Sequence, residues 1–122
     1  MACARESIDI HTPYFLPDHN LRRTFTDTVA RGVRVRVLVP GPHIDKGVVR
    51  VAGRAAYDEL VACGVEMHEY APTMLHAKSM VVDGAWSSVG SVNFDNRSFQ
   101  LHDEATLCVV SDAFAGELTD QF

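Results

Sequence analysis

Strand-like and helix-like segments alternate along the first 70 residues of the chain. The strand-like segments are residues 7–11, 33–39 and 65–70, and the helix-like ones are residues 19–31 and 47–62. Asp18 is predicted to be the N-cap of the first helix, and Gly32 is predicted to end it. This β-α-β-α-β order favours parallel strands with right-handed crossovers and with helices on the faces of the sheet.

After residue 72 the segments become strands with short connections. These strands are predicted over residues 75–82, 86–91 and 104–110, with a hairpin turn at Asp83-Gly84 and a last helix opened by Ser111 or Asp112. Between Pro13 and Pro17 the two prolines are expected to exclude regular structure. The chain is therefore predicted to be α/β, with a mixed, largely parallel central sheet flanked by helices.

Length and composition favour one globular domain over residues 1–122, since 47% of the residues are hydrophobic and 22% are charged. The net charge is −5, and residues 62–122 contain only two basic side chains, which argues against binding nucleic acid by charge. Three cysteines without a C-x-x-C spacing indicate neither a zinc site nor a disulfide framework. With no long apolar run and no leader, the piece is expected to be soluble.

One segment has six residue types at fixed spacings, H-x-K-x4-D-x6-G-S-x-N. They are His76, Lys78, Asp83, Gly90, Ser91 and Asn93. Chance gives such a pattern on the order of once in several hundred thousand chains of this length, if each position has about a one-in-twenty probability. The segment is therefore a strong candidate for the functional site.

The spacing has a geometric reading before any family is considered. On a strand, His76 and Lys78 project to the same side because they are two residues apart. Gly90 lets the backbone approach closely, and Asn93 offers an amide donor. Asp83 sits at the turn and is expected to point away, capping the turn or pairing locally. His76, Lys78 and Asn93 are thus predicted to bind a tetrahedral oxyanion.

This motif is similar to the hallmark of the phospholipase D superfamily. Flanking strings resemble the C-terminal catalytic half of bacterial cardiolipin synthases, at residues 12–18, 32–36, 57–60, 74–78 and 97–99. The resemblance covers roughly residues 8–122, and it implies a piece of a longer chain with two such motifs. The second catalytic histidine would come from the N-terminal half of that chain or from a second copy of this one.

The resemblance also implies a mechanism that uses no metal and no cofactor. His76 would be the nucleophile that forms a phosphohistidine, or its acid partner, while Lys78 and Asn93 would bind the phosphate. Glu104 would orient the imidazole, and Ser91 would support the loop and contact the substrate. His102 stands where the family often has Asn.

Several of these residues have a second interpretation. Ser91 and Asn93 also suit a turn, and Glu104 also suits a surface carboxylate. Tyr14 and Phe15 are either a wall of a lipid pocket or core packing. Asp45 either contacts an acceptor alcohol or caps a helix. Arg97 either meets a phosphate or pairs with a nearby aspartate.

The function that the resemblance implies is phosphatidyl transfer between two phosphatidylglycerol molecules, which gives cardiolipin and glycerol. The longer protein would then act at the bacterial inner membrane, with a phospholipid as its substrate. A homodimeric single-motif phosphodiesterase acting on nucleic acid is the alternative enzyme, which the few basic residues near the motif disfavour. An inactive isolated module is the non-enzymatic alternative.

Overall fold

The structure is a computed structural model, and it describes residues 1–42, 57–95 and 103–122. The predicted second helix is seen in its last part, where residues 57–62 are helical. Asp45, Arg97 and His102 lie outside the described residues.

The described elements are eight strands and two complete helices. The strands are β1 (Ser7–His11), β2 (Phe15–Leu16), β3 (Arg34–Pro40), β4 (Glu66–Tyr70), β5 (Ser79–Val82), β6 (Trp86–Gly90), β7 (Phe94–Asp95) and β8 (Thr106–Val110). The helices are α1 (His19–Ala30) and α2 (Asp112–Thr119).

Six strands form one mixed sheet in the order β4-β3-β1-β5-β6-β8. The pairs β1–β3 and β3–β4 are parallel, whereas β1–β5, β5–β6 and β6–β8 are antiparallel. β1 is therefore the strand at which the parallel part of the sheet meets the antiparallel part. The predicted α/β class with a mixed sheet is confirmed.

Two short strands form a second sheet, in which Phe15 and Leu16 of β2 pair in parallel with β7. The expectation that Pro13 and Pro17 exclude regular structure was therefore wrong for these two residues. Proline lacks its own N–H, but Phe15 and Leu16 keep theirs and are free to pair.

Local sequence signals explain where the helices and the hairpin turn lie. Asp18 caps α1, since its Oδ1 accepts a hydrogen bond of 2.8 Å from the Leu21 N–H. Gly32 follows α1 at φ 86°, a conformation that glycine adopts without a steric penalty. In the β5–β6 turn, Asp83 and Gly84 both have positive φ, 52° and 60°, as primed hairpin turns require.

The main core lies on one face of the sheet, where alternate residues of β1 and β3 pack beneath α1. Ile8, Ile10, Val35 and Val37 are fully buried together with Phe25 of α1. Each such side chain contributes about 1.5–3 kcal/mol by leaving water. The other face is contacted by α2, which packs on β5 and β6.

The topology brings the ends of several strands to one edge of the sheet. The C-terminal ends of β1, β3, β4 and β6 meet the N-terminal ends of β5 and β8 at this edge, because β5 and β8 run against the others. Residues 74–78, 91–93 and 103–105 leave or enter the sheet there. We call this the catalytic edge, because the candidate site residues predicted from the motif lie in these segments.

Candidate active site

His76 and Lys78 lie in an irregular segment that precedes β5. The strand predicted from residue 75 was wrong for residues 75–78, because the strand begins at Ser79. Its partner β1 ends at His11, which pairs with Ser79. Beyond that pair the pairing with β1 ends, and the chain before Ser79 is bonded on its other side, where the Gly90 N–H of β6 donates to the Lys78 carbonyl.

Lys78 is anchored through both its side chain and its backbone. Its Nζ donates a 2.9 Å hydrogen bond to the carbonyl oxygen of His76, so the ammonium lies against the histidine backbone. Its own carbonyl accepts a 3.1 Å hydrogen bond from the Gly90 N–H, which joins the segment to β6. The structure thus places three motif residues in one bonded group at the catalytic edge.

The Lys78 ammonium is partly buried, and this burial lowers its pKa, while the negative charge of Glu104 acts in the opposite direction. Glu104 therefore lies near enough to act on Lys78. A partly desolvated cation attracts an anion more strongly than one in bulk water. His76 is exposed, so that a ligand can reach its ring from solvent.

Ser91 joins the end of β6 to the segment that holds Glu104. The Ser91 N–H donates to the Ala105 carbonyl at 2.9 Å, and the Ser91 hydroxyl accepts from the Ala105 N–H at 3.0 Å. A Cβ at Gly90 would overlap the Ala105 carbonyl oxygen, so the close approach requires glycine there. These contacts set Glu104 beside Lys78; contact of Ser91 with a substrate stays a prediction.

Asn93 is partly buried between β6 and β7. The next residue, Phe94, donates its N–H to the Thr12 hydroxyl at 3.4 Å, which ties this segment to the end of β1. Binding of phosphate by Asn93, and orientation of the His76 imidazole by Glu104, stay predictions.

The two aromatic residues predicted to line a lipid pocket have different environments. Phe15 is 1% exposed, and its ring centroid lies 5.7 Å from that of Phe25 and 5.8 Å from that of Tyr57. The pocket-wall interpretation of Phe15 was therefore wrong, and core packing accounts for it. Tyr14 is partly buried, and its role in substrate binding stays a prediction, as does that of Asp45.

Asp83 lies at the far end of β5, away from the catalytic edge. Its carboxylate accepts hydrogen bonds from the backbone N–H groups of Arg5, Glu6 and Ser7, at 2.8 to 3.2 Å. Burial acts to raise its pKa, but these N–H groups outweigh burial, and the pKa lies below the ordinary value. The predicted structural role of Asp83 therefore agrees with these contacts, but the partners are not local to the turn as predicted. The carboxylate joins the hairpin to the segment before β1.

A groove of about 180 Å³ runs beside Lys78 on the face formed by β5, β6 and β8. Thr106 and Cys108 line it, and sequence reasoning missed both of them. They share this face only through the β6–β8 register, which pairs Gly90 with Thr106 and Ser88 with Cys108.

A larger groove of about 420 Å³ lies by Met1 and the Asp83 turn, at the opposite edge. We associate the motif with the smaller groove, because it is the one that contains Lys78.

The described residues contain no group of three or more histidine, cysteine, aspartate or glutamate side chains that could hold a metal ion. Neither of their complete helices has the length and apolar character that crossing a membrane requires.

Comparison with known proteins shows the family to which the chain belongs. The family described as "Cardiolipin synthase, PLD-like domain" matches residues 1–122. The chain belongs to this family. The relationship to phospholipase D-like proteins predicted from the motif is thereby confirmed.

Curated relatives of this PLD-like domain include cardiolipin synthase A of Erwinia tasmaniensis, which is 43% identical over 115 residues. Cardiolipin synthase A of Serratia proteamaculans is 40% identical over 115 residues. Both matches cover 94% of this chain but 24% of the relative. The PLD-like domain therefore spans about a quarter of the length of the curated relatives that it matches.

Solved structures share the fold of the PLD-like domain at low sequence identity. Nuc from Salmonella typhimurium, a phospholipase D family member, has a TM-score of 0.83 at 19% identity, covering 98% of this chain and 76% of Nuc. Phosphatidylserine synthase of Haemophilus influenzae has a TM-score of 0.74 at 16% identity, covering 98% of this chain and 32% of that one. At these identities the likeness concerns the fold alone.

Proposed function

We propose that this domain is a catalytic half of a phosphatidyltransferase of the cardiolipin synthase type. It would transfer a phosphatidyl group from one phosphatidylglycerol to another and release glycerol. The observation that carries the proposal is the bonded group at the catalytic edge. There the Lys78 ammonium lies 2.9 Å from the His76 carbonyl oxygen, and the negative charge of Glu104 acts to raise the Lys78 pKa. The family and the names of the curated relatives support it.

The transfer has two displacement steps. In the first, Nε2 of His76 attacks the phosphorus of phosphatidylglycerol, a P–N bond forms, and the P–O bond to glycerol breaks. The leaving oxygen takes a proton from the second catalytic histidine. In the second step, a headgroup hydroxyl of another phosphatidylglycerol attacks the phosphorus, gives its proton to that same histidine, and breaks the P–N bond.

The remaining motif residues would stabilise charge rather than form bonds. Lys78 and Asn93 would hold the non-bridging phosphoryl oxygens, which carry more negative charge in the transition state. Glu104 would accept the Nδ1 proton of His76, so that Nε2 faces the substrate, as an orienting carboxylate does in a catalytic triad. The partial burial of Lys78 supports its role in binding phosphate, because burial strengthens the attraction of the ammonium to a phosphate.

The chemistry needs a second histidine, and the sequence contains one motif. We propose that it comes from another phospholipase D-like half of a longer protein. The share of the relatives that the chain covers, 24%, leaves room for such a half. The same longer protein would bring the site to the inner membrane, where its phospholipid substrate lies. As a lone monomer, this domain would be nearly inert.

A dimer of two such domains acting on nucleic acid is the competing proposal. Residues 62–122 contain two basic and nine acidic side chains, which is unfavourable for a site that must attract a polyanion along its length. Inactivity of a purified 122-residue dimer toward single-stranded DNA would agree with this reasoning.

The test is the His76→Asn substitution in the intact protein that contains this domain. We expect cardiolipin formation from phosphatidylglycerol to fall by about a thousandfold or more, because the covalent step is lost. The matched control is His19→Asn, since His19 is exposed at the start of α1, and it should leave the rate unchanged.

A second measurement separates nucleophilic catalysis from mere binding. Quenching the wild-type reaction with a denaturing detergent at weakly basic pH should trap a phosphatidyl group on one histidine, detectable by mass spectrometry of the peptide, because the acid-labile P–N bond and the alkali-labile acyl esters both survive there. A label on the peptide that holds His76 would identify it as the nucleophile, whereas a label on the corresponding peptide of the second half would make His76 the acid partner. Full activity of the His76→Asn variant would remove this residue from the mechanism.

A further inference from the structure

On the face of the sheet opposite to Lys78, a buried polar contact joins the end of β1 to the start of β5. His11, the last residue of β1, is 4% exposed, and Ser79, the first residue of β5, is 7% exposed. His11 Nδ1 lies 2.9 Å from Ser79 Oγ, within hydrogen-bond distance. Two polar side chains so far from solvent are costly to bury unless they bond to each other, so this contact is well defined.

The surroundings of His11 restrict its ring. The Phe122 ring centroid lies 5.0 Å from that of His11, and the guanidinium carbon of Arg36 lies 4.2 Å from the centroid of Phe122. Asp9 holds Arg36 by two hydrogen bonds of 2.7 and 2.8 Å. Burial lowers the pKa of His11, Asp9 acts to raise it, and Arg36 acts to lower it, with a net decrease. The lowered pKa favours the neutral ring, and the Phe122 contact holds that ring on one side of β1.

The position of Ser79 gives this contact its significance. Ser79 directly follows Lys78, and the Ser79–His11 pair is the last one between β5 and β1. The irregular segment with His76 starts immediately beyond that pair. Terminal pairs of a strand open most easily, so a buried bond at this pair determines how firmly the base of the segment is held.

We propose that His11 is a positioning residue, which acts through Ser79 to hold the backbone of Lys78 and, with it, the bonded group at the catalytic edge. Its effect on catalysis rests on the proposed function, whereas its effect on the backbone does not. When the Lys78 backbone is held in place, its carbonyl keeps the hydrogen bond from the Gly90 N–H. The Lys78 ammonium likewise keeps its hydrogen bond to the His76 carbonyl.

The first experiment measures the backbone without any reaction. Amide hydrogen exchange of Gly90 in the 122-residue chain reports how often its bond to the Lys78 carbonyl opens. In the Ser79→Ala variant, the loss of the buried bond should speed this exchange about tenfold relative to the amides of β3. The matched control is Ser87→Ala: Ser87 is fully buried on the same face, and its hydroxyl has no hydrogen-bond partner among the described residues.

The second experiment measures turnover in the intact protein. His11→Leu removes the bond while filling the space, and it should lower kcat about tenfold, with KM within about twofold, because the groups that stabilise the transition state are displaced. His11→Asn should restore most of the loss, since an amide atom on Cγ occupies the place of Nδ1 and bonds to the serine hydroxyl. A purely space-filling role would give the opposite order.

The outcomes separate this inference from the proposed function. Equal exchange of Gly90 in the Ser79→Ala and Ser87→Ala variants would overturn the positioning role, whatever the activity. If Ser79→Ala does not fold, the comparison of His11→Asn with His11→Leu by the same exchange measurement decides, and equal rates would again overturn it. A tenfold change in Gly90 exchange with an active His76→Asn variant would retain the positioning role and refute the catalytic one.

Discussion

Replacing Asp83 by asparagine tests whether its charge joins the hairpin to the N-terminal segment. Oδ1 accepts from Glu6 and Ser7 at 2.8 and 3.0 Å, while Oδ2 accepts from Arg5 at 3.0 Å. Asparagine tolerates the positive φ of this position, 52°, so that the change leaves the turn geometry possible. Any loss of stability therefore reports the carboxylate rather than backbone strain.

The size of the loss follows from the three N–H groups. A hydrogen bond to a charged acceptor contributes about 1.5–3 kcal/mol and a neutral one about 1 kcal/mol. The low end applies to Asp83, because two of its three donors are exposed. Asparagine keeps two bonds in their weaker, neutral form and turns an NH2 group toward the Arg5 N–H. We expect Asp83→Asn to lower the free energy of unfolding by about 2 kcal/mol.

Urea unfolding followed by the fluorescence of Trp86, the only tryptophan, measures this difference. Asp27→Asn is the control, since Asp27 is 65% exposed and lies 3.8 Å from Arg23, a surface pair worth less than about 0.5 kcal/mol. The pKa of Asp83 is lowered, so the unfolded chain binds more protons in acid, and the stabilisation is lost as the pH falls below about 4. A gap between wild type and variant that is absent at pH 7, or that persists unchanged into acid, would refute the reasoning.

Two further substitutions, the first with a control, test packing and a buried ion pair by the same urea measurement. Gly90→Ala should cost about 3 kcal/mol, because its Cβ would overlap the Ala105 carbonyl oxygen. Gly116→Ala in α2, where nothing lies within 4 Å of the new Cβ, should be neutral or stabilise by up to about 1 kcal/mol. Asp9→Asn should cost about 3 kcal/mol, since Asp9 is 2% exposed and paired with Arg36, and a loss below about 1 kcal/mol would contradict this.

Much of the fold was predictable because its signals are local. The alternating valines of β3, the Asp18 cap of α1 and the Asp83-Gly84 turn each depend on a few neighbouring residues. The motif also singled out His76 and Lys78, and the Lys78 ammonium donates a 2.9 Å hydrogen bond to the His76 backbone carbonyl. That their two side chains bind one oxyanion stays a prediction.

What the sequence could not reveal depends on distant partners. The start of β5 is set by the end of β1, which lies 68 residues away at His11. The partners of Asp83 lie 76 to 78 residues away, and nothing around the turn indicates them. Phe15 has the same neighbours in sequence whether it lines a pocket or fills the core, and only the three-dimensional packing decides.

The spacing of the motif is explained by the hairpin rather than by the chemistry. The four unspecified residues between Lys78 and Asp83 are β5 itself, and the chain then turns and returns along β6 to Gly90. The motif spacing thus corresponds to the length of one hairpin, with the proposed catalytic groups at one end and an anchoring carboxylate at the other. One residue inserted into β5 would turn Lys78 to the opposite face of the sheet. Two inserted residues would restore the face but move Asp83 about 7 Å from the N–H groups that it binds, so neither length preserves both ends.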